Sequence, residues 1–272
     1  MEKERADLLV VQQGLTDTRE KAKRMIMAGQ IYDENNERID KAGEKLPITK
    51  QLHIKGETLK YVSRGGLKLE KAIELFHLDL TGKRVLDIGA STGGFTDVSL
   101  QNGAALCYAL DVGYNQLHWK LRQDERVDVM ERVNFRYAQL DDFKRGQPNF
   151  ATIDVSFISL RLILPTLANI LEKNSYAVVL IKPQFEAGRE KVGKKGIIKD
   201  THVHEEVIHD VLHFATSIGY DVIGLTFSPI TGGSGNIEFL ACLKLTHDLN
   251  KNDVCVDIHD VVMQAAETLV KK

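Results

Sequence analysis

The stretch VLDIGASTGGFTDVSL, residues 85–100, decides the fold. Its opening reads as a buried strand that runs into Gly89, and a loop carrying Gly93 and Gly94 then opens a helix. Glycines at such a strand-to-helix turn let the backbone approach a ligand closely and take up geometries other residues resist. The spacing is not G-x-G-x-x-G, which weakens a dinucleotide reading. No Gly-Lys-Ser/Thr follows, so it is not a P-loop either. Asp111 closes the next strand, 22 residues after Gly89. A carboxylate there can accept both hydroxyls of an adenosine ribose. The bland alternative is a tight turn whose aspartate merely caps a loop.

From this unit outward, strands and helices alternate. KRVLDIG, ALCYALDVG, FATIDVS and YAVVLIK read as strands, separated by helix-containing segments TGGFTDVSLQNG, SLRLILPTLANIL and THVHEEVIHDVLHFATSIG. YDVIGLTFSP and NIEFLACLKL read as a closing antiparallel pair. The pattern predicts an α/β domain built on a doubly wound, mainly parallel sheet. Ligands of such sheets bind beyond the carboxyl ends of the strands, which singles out Asp87, Asp111, Asp154 and Lys182.

Lys182 ends the apolar run Val178–Ile181 and is followed by Pro183, which cannot continue a ladder. Taken alone it could snorkel to solvent. Asp154 ends the neighbouring strand, and Glu238 opens a late antiparallel strand whose start lies at the same edge. Lys68 sits at the beginning of a helix patterned by Leu69, Ala72, Ile73 and Phe76, where the helix dipole disfavours a cation. It reaches the cluster only if that helix docks over the edge.

The 272 residues are 43% hydrophobic and 27% charged with a net charge of −2, so no overall basic excess points to nucleic acid. Any basic face must be local. Residues 1–60 differ in texture, with a helical stripe over RADLLVVQQGL and a second amphipathic helix over TREKAKRMIMAG, capped by Thr16 or Thr18. Two short strand-like pieces follow, QIYDENNERID and KLPITKQLHIKG. This segment carries 12 Lys+Arg against 11 Asp+Glu, so its signal is the clustering of Arg19, Lys21, Lys23 and Arg24 on one helix face. The expected boundaries are a small domain over 1–60, a linker over 61–66 containing Gly65-Gly66, and a second domain over 67–272. Three scattered cysteines form no ligand pattern, which speaks against disulfides and structural metal. The absence of a signal-like amino terminus or an 18-residue apolar span predicts a soluble, cytoplasmic protein.

Four resemblances sharpen this. Arg5–Asp7, Gly14, Thr18-Arg19, Ala22, Ile26 and Gly29–Ile31, followed by a strand pair, resemble the alpha-L RNA-binding motif of a ribosomal small-subunit protein, pseudouridine synthases and tyrosyl-tRNA synthetases. That resemblance implies phosphate contacts that position RNA without reading its sequence. D-x-G-x-x-x-G-G-F-T with a following strand ending in Asp is similar to class I S-adenosylmethionine-dependent methyltransferases, whose fold is Rossmann-like. Lys68, Asp154, Lys182 and Glu238 have the order of the K-D-K-E tetrad of ribose 2′-O-methyltransferases. SRGGLKLE, DIGASTGGFTD, ALDVG, ERVNFR, DVSFISL, IKPQFEAGRE and SPITGGSGNIEF together resemble the TlyA-type rRNA methyltransferases, also labelled haemolysin A, over nearly all of 61–240.

The resemblance implies S-adenosyl-L-methionine as cofactor, held by Asp87, Gly89, Ala90, Ser91, Thr92, Gly93, Gly94, Phe95, Asp111, Asp141 and Asp154, with Asp142 an equal alternative to Asp141. It implies methylation of a cytidine 2′-hydroxyl in ribosomal RNA within ribosomal subunits. Lys182 would be the base or the stabiliser of the alkoxide, its pKa lowered by burial and by Lys68, while Asp154 and Glu238 fix the ammonium groups. The RNA-contacting set comprises Arg5, Arg19, Lys21, Lys23, Arg24, Arg64, Arg189, Lys194 and Lys195, the last three in a basic loop that could act as a lid. A membrane-acting haemolysin and a non-catalytic RNA-binding protein are the competing classes. No apolar span supports the first, and the intact tetrad and glycine loop argue against the second.

Overall fold

The computed structural model describes residues 3–27, 29–55, 60–193, 196–232, 235–249 and 254–270. The chain divides into two compact units, Met1–Lys60 and Tyr61–Lys272.

In the first unit, β1 (Lys3–Arg5) leads directly into α1 (Ala6–Gln12), followed by α2 (Arg19–Met27), β2 (Ile31–Asp33), β3 (Lys45–Pro47) and β4 (Leu52–Ile54). The helices bury Ala6, Leu9, Val10, Ala22, Met25 and Ile26 together with Ile31, Leu46 and Leu52 in one small core. The Thr18 hydroxyl accepts from Lys21 N at 3.3 Å and so caps α2, while Thr16 is buried. The strands do not form a consecutive pair. β1 pairs antiparallel with β3, and β2 pairs with β4. Charged, three-residue strands such as KER leave too little alternation to be read from sequence.

The second unit opens with α3 (Gly66–Leu75) and continues through β5 (Arg84–Ile88), α4 (Gly94–Gln101), β6 (Leu106–Asp111), α5 (Trp119–Arg122), β7 (Val127–Glu131), β8 (Phe150–Ile153), α6 (Leu164–Ile170), β9 (Tyr176–Ile181), α7 (Pro183–Glu186), α8 (Thr201–Ser217), β10 (Tyr220–Phe227), β11 (Phe239–Leu245) and α9 (Ile258–Val270). The seven strands form one sheet in the order β10-β11-β9-β8-β5-β6-β7. The pairs among β5 to β9 are parallel, and β11 lies antiparallel to both β9 and β10. Alternate residues of each strand feed two cores. Leu86, Tyr108, Ile153 and Val179 face one, packed by α6, α8 and α9 residues. Val85, Cys107, Val178 and Leu240 face the other, with Leu69 and Ala72 of α3 and Val98 of α4. Burial on both faces explains why these strands read as continuous apolar runs.

Two expectations change here. VDVME forms β7, an edge strand paired only with β6, and its charged residues hid it from a reading based on apolar runs. Residues 61–66 are not a free linker. Tyr61 is buried in the second unit's core and its hydroxyl donates to Glu70 Oε1 at 2.8 Å, while Val62 N donates to Asp97 Oδ2 at 2.9 Å. Strand order reverses between β5 and β8, so a crevice opens at their carboxyl ends.

Candidate active site

Two adjoining cavities occupy that crevice, of about 540 and 470 Å³, sharing Gly89, Ser91, Asp154, Ser156 and Phe157. The glycine loop is shaped by hydrogen bonds to β6: Gly89 N and Ala90 N both donate to Leu110 O, at 2.9 and 3.1 Å. Gly89 has φ +85°, and a Cβ there would stand 2.4 Å from Asp154 O, so only glycine fits. Asp111 accepts from Ser91 N at 2.8 Å and from Gly113 N at 2.7 Å. Asp111 lines the smaller cavity together with Val112, Asn134, Phe135, Arg136 and Ile158, and each of its carboxylate oxygens can accept one more hydrogen bond.

Asp87 does not line either cavity. It is fully buried beneath the loop, accepting from the hydroxyls of Thr96 (2.7 Å) and Thr152 (3.0 Å). Burial raises its pKa to about 6 against the opposing pull of those two hydrogen bonds. Asp87 therefore ties α4 to β8 and touches no ligand space. Asp141 is exposed in a 3-10 turn and lines neither cavity, and Asp142 is taken up by capping Gln139 N at 2.8 Å. Asn134 and Phe135, just after β7, line the smaller cavity instead. Missing β7 hid these two residues, because a strand end can be located only once the strand is.

The larger cavity is lined at one side by Ser63, Gly65, Ala90, Thr92, Gly94 and Phe95, and at the other by the four residues Lys68, Asp154, Lys182 and Glu238. Ile153 lies opposite Val179 in the parallel β8–β9 pair, and β11 begins with Phe239 opposite Ile181. Asp154, Lys182 and Glu238 therefore emerge side by side at one edge. Lys182 Nζ is 2.5 Å from Asp154 Oδ1 and donates to Ser156 Oγ at 3.0 Å. Lys68 Nζ lies 3.3 Å from Asp154 Oδ2 and 2.7 Å from Glu238 Oε2. The order is thus Glu238–Lys68–Asp154–Lys182–Ser156, with Asp154 between the two amines. Burial works against the charge on Lys68, but Asp154 and Glu238 outweigh it, and its pKa lies above the ordinary lysine value. Lys68 is a permanent cation in this site. Ser156 was not singled out from sequence, although it falls two residues beyond Asp154 in DVSF.

The basic residues are distributed differently from expectation. In the first unit, Arg5 spends its guanidinium on Asp7, with two hydrogen bonds of 3.0 Å, and Arg19 Nε adds a third at 3.0 Å. Asp7 is buried, and the hydrogen bond from Arg5, opposed by burial and helped by Arg19, lowers its pKa to about 2. Arg5 and Arg19 thus hold β1, α1 and α2 together while Arg19 stays exposed and Arg5 half-buried; Lys21 and Arg24 are exposed and Lys23 half-buried. In the second unit Arg64 is exposed, Arg189 begins a 3-10 turn, and Lys194 and Lys195 lie outside the described residues. Among the described residues no acidic, histidine or cysteine cluster is arranged to hold a metal ion, and no helix is long and apolar enough to cross a membrane.

Comparison with known proteins adds a family to this geometry. A family model for FtsJ-like methyltransferase matches residues 61–245. The candidate rRNA methyltransferase YqxC of Bacillus subtilis is 57% identical over 99% of this chain and 96% of its own length. The 16S/23S rRNA (cytidine-2′-O)-methyltransferase TlyA of Mycobacterium tuberculosis is 37% identical over 90% of this chain and 91% of its own. A solved structure from Streptococcus thermophilus, titled a candidate hemolysin, is 57% identical and covers 100% of this chain and 98% of its own, with a TM-score of 0.79. The methyl donor of such enzymes is S-adenosyl-L-methionine, and the residues present fit it: Asp111 beside the apolar walls of Val112, Phe135 and Ile158, and a glycine loop opening a helix. With relatives of this identity over this length, the chain belongs to the FtsJ-like methyltransferase family, in its group of TlyA-type rRNA methyltransferases.

Proposed function

We propose that this protein methylates the 2′-hydroxyl of a cytidine ribose in ribosomal RNA, with Lys182 at the reacting oxygen. The observation that carries the reading is the placement of Lys182 Nζ. It sits at the tip of β9, held by Asp154 and Ser156, in the same cavity as the glycine loop. Bound S-adenosyl-L-methionine supplies an electrophilic methyl whose leaving thioether is neutral, so the reaction needs a competent nucleophile more than an acid. A ribose hydroxyl becomes one as its proton departs.

The chain's own residues serve that requirement. Asp111 would hold the ribose hydroxyls of the cofactor, Val112 and Phe135 would pack on its base, and the glycine loop at the start of α4 would take its amino-acid end. The target 2′-hydroxyl lies against Lys182 Nζ. As an amine Lys182 would take the proton; as an ammonium it would stabilise the developing alkoxide while the proton passes to solvent water. In both cases the new bond joins the 2′-oxygen to the methyl carbon while the sulfur–methyl bond breaks. Lys68, fixed as a cation, adds positive potential at the same oxygen and is held by Glu238. In the first unit, Lys21, Lys23 and Arg24 on α2 supply phosphate contacts in the manner of the alpha-L motif. Arg64 and the 189–199 loop add basic groups on the second.

Methyl transfer onto ribosomal RNA from cells lacking the modification tests the assignment. Lys182→Ala is expected to lower kcat by at least 100-fold while cofactor affinity by calorimetry stays within threefold. Equal labelling by both proteins would remove Lys182 from the mechanism, and failure of the wild type to label cytidine 2′-oxygens would overturn the reading as a whole.

A further inference from the structure

Lys182 and Ser156 come from separate loops, and something must set the distance between those loops. The segment after β8 runs Asp154, Val155, Ser156, Phe157, Ile158, Ser159, Leu160, and the segment after β9 runs from Lys182 into the single turn α7, Pro183–Glu186. Beyond the Lys182 contacts, two further links join them. Phe157 and Phe185 meet with ring centroids 4.9 Å apart. Glu186, at the far end of α7, accepts from Ser159 Oγ at 2.6 Å and from Leu160 N at 2.8 Å, one donor on each carboxylate oxygen.

Glu186 lines neither large cavity, and no Lys, Arg or His stands within ion-pair distance of its carboxylate among the described residues. Burial raises its pKa, while the Ser159 and Leu160 hydrogen bonds and the more distant Arg161 pull it down. An acidic side chain in that setting gains little as a charge. Its value lies in two directed acceptors that a short turn can project across to a neighbouring loop.

We propose that Glu186 is a positioning residue for methyl transfer: by bridging Ser159 and Leu160 it fixes the loop carrying Ser156 and Phe157 against the turn carrying Lys182. The inference rests on the role of Lys182 proposed above. It makes the 2′-oxygen site a product of two loops clasped at both ends, with Lys182–Ser156 at the inner end and Glu186–Ser159/Leu160 at the outer.

The test compares Glu186→Ala, Glu186→Gln and Ser159→Ala, alone and combined, with Lys182→Ala run alongside. Gln keeps an acceptor for Leu160 N and can donate to Ser159 Oγ, so it should rescue. Glu186→Ala is expected to lower kcat at least tenfold, with cofactor Kd and RNA KM within threefold. Glu186→Gln should stay within threefold of wild type in kcat, and Ser159→Ala should lose about threefold. The Glu186→Ala/Ser159→Ala double variant should be no slower than Glu186→Ala, because both remove one link. A wild-type kcat in Glu186→Ala, an equal loss in Gln and Ala, or a loss matched by weaker cofactor binding would overturn the clasp. If Glu186→Ala does not fold, a full-activity Ser159→Ala or an inactive, folded Glu186→Gln still overturns it. A fully active Lys182→Ala would instead sink the mechanism on which the clasp depends.

Discussion

A carboxylate with no access to water and no cationic neighbour in contact is an uncomfortable residue, and among the described residues Asp87 is one. Its pKa near 6, against an ordinary 3.8, has a definite sign for stability. Below about pH 3 both folded and unfolded forms are protonated and nothing is lost. As pH rises toward 6 the unfolded chain ionises first, and the folded state loses up to about 3 kcal/mol, a loss that persists above pH 6. Asp87→Asn is therefore expected to raise Tm relative to wild type at pH 7.5 and to leave it nearly unchanged at pH 3, by calorimetric scans at both. Equal effects at the two pH values would contradict the linkage. Lys68 is the opposite case, a buried cation between two carboxylates. Lys68→Met leaves Glu238 and Asp154 without it, and a loss of about 3 kcal/mol or more in denaturant unfolding should accompany loss of activity.

Elements carry the next set of expectations. The glycine loop tolerates no side chain at Gly89, where positive φ and the Asp154 carbonyl both object. Gly82 also has positive φ but has open space around its Cβ position. Gly89→Ala should weaken cofactor binding more than tenfold by calorimetry, while Gly82→Ala should cost only about 1–2 kcal/mol of backbone strain and leave affinity unchanged. On α2, Lys21→Glu combined with Arg24→Glu should weaken RNA binding and flatten its dependence on KCl, with kcat at saturating RNA preserved. An unchanged salt slope would remove α2 from the RNA contacts. These elements also show what was readable beforehand. The strand–glycine loop–helix unit was legible because glycine, apolar runs and strand-end carboxylates each have a local cause. The tips at Asp154 and Lys182 followed from strand order alone. Asn134 and Phe135 were not legible, since β7 is an edge strand with a charged sequence. Ser156 and Glu186 were not either, because their roles depend on where two distant loops meet. The ion pairs of Arg5 and Arg19 were hidden for a related reason: their partner, Asp7, is buried, and burial of a single aspartate leaves no periodic trace.

At the scale of the whole molecule, the two units have separate cores. The segment 61–272 should fold by itself and bind S-adenosyl-L-methionine with wild-type affinity, with RNA methylation weakened mainly through KM. Loss of cofactor binding on removal of residues 1–60 would show that the cores are energetically dependent. The last strand made, β11, is not an edge of the sheet but lies between β9 and β10. During synthesis, β9 must wait with one side unpaired, and β10 has no partner at all until residues beyond Phe239 emerge. Such long-range closure is slow, and an unpaired apolar strand edge invites association. The nascent chain is therefore most vulnerable to aggregation just before β11 arrives. The insertion that completes the sheet also delivers Glu238 to Lys68, so closure of the sheet and assembly of the four-residue cluster become a single event in time.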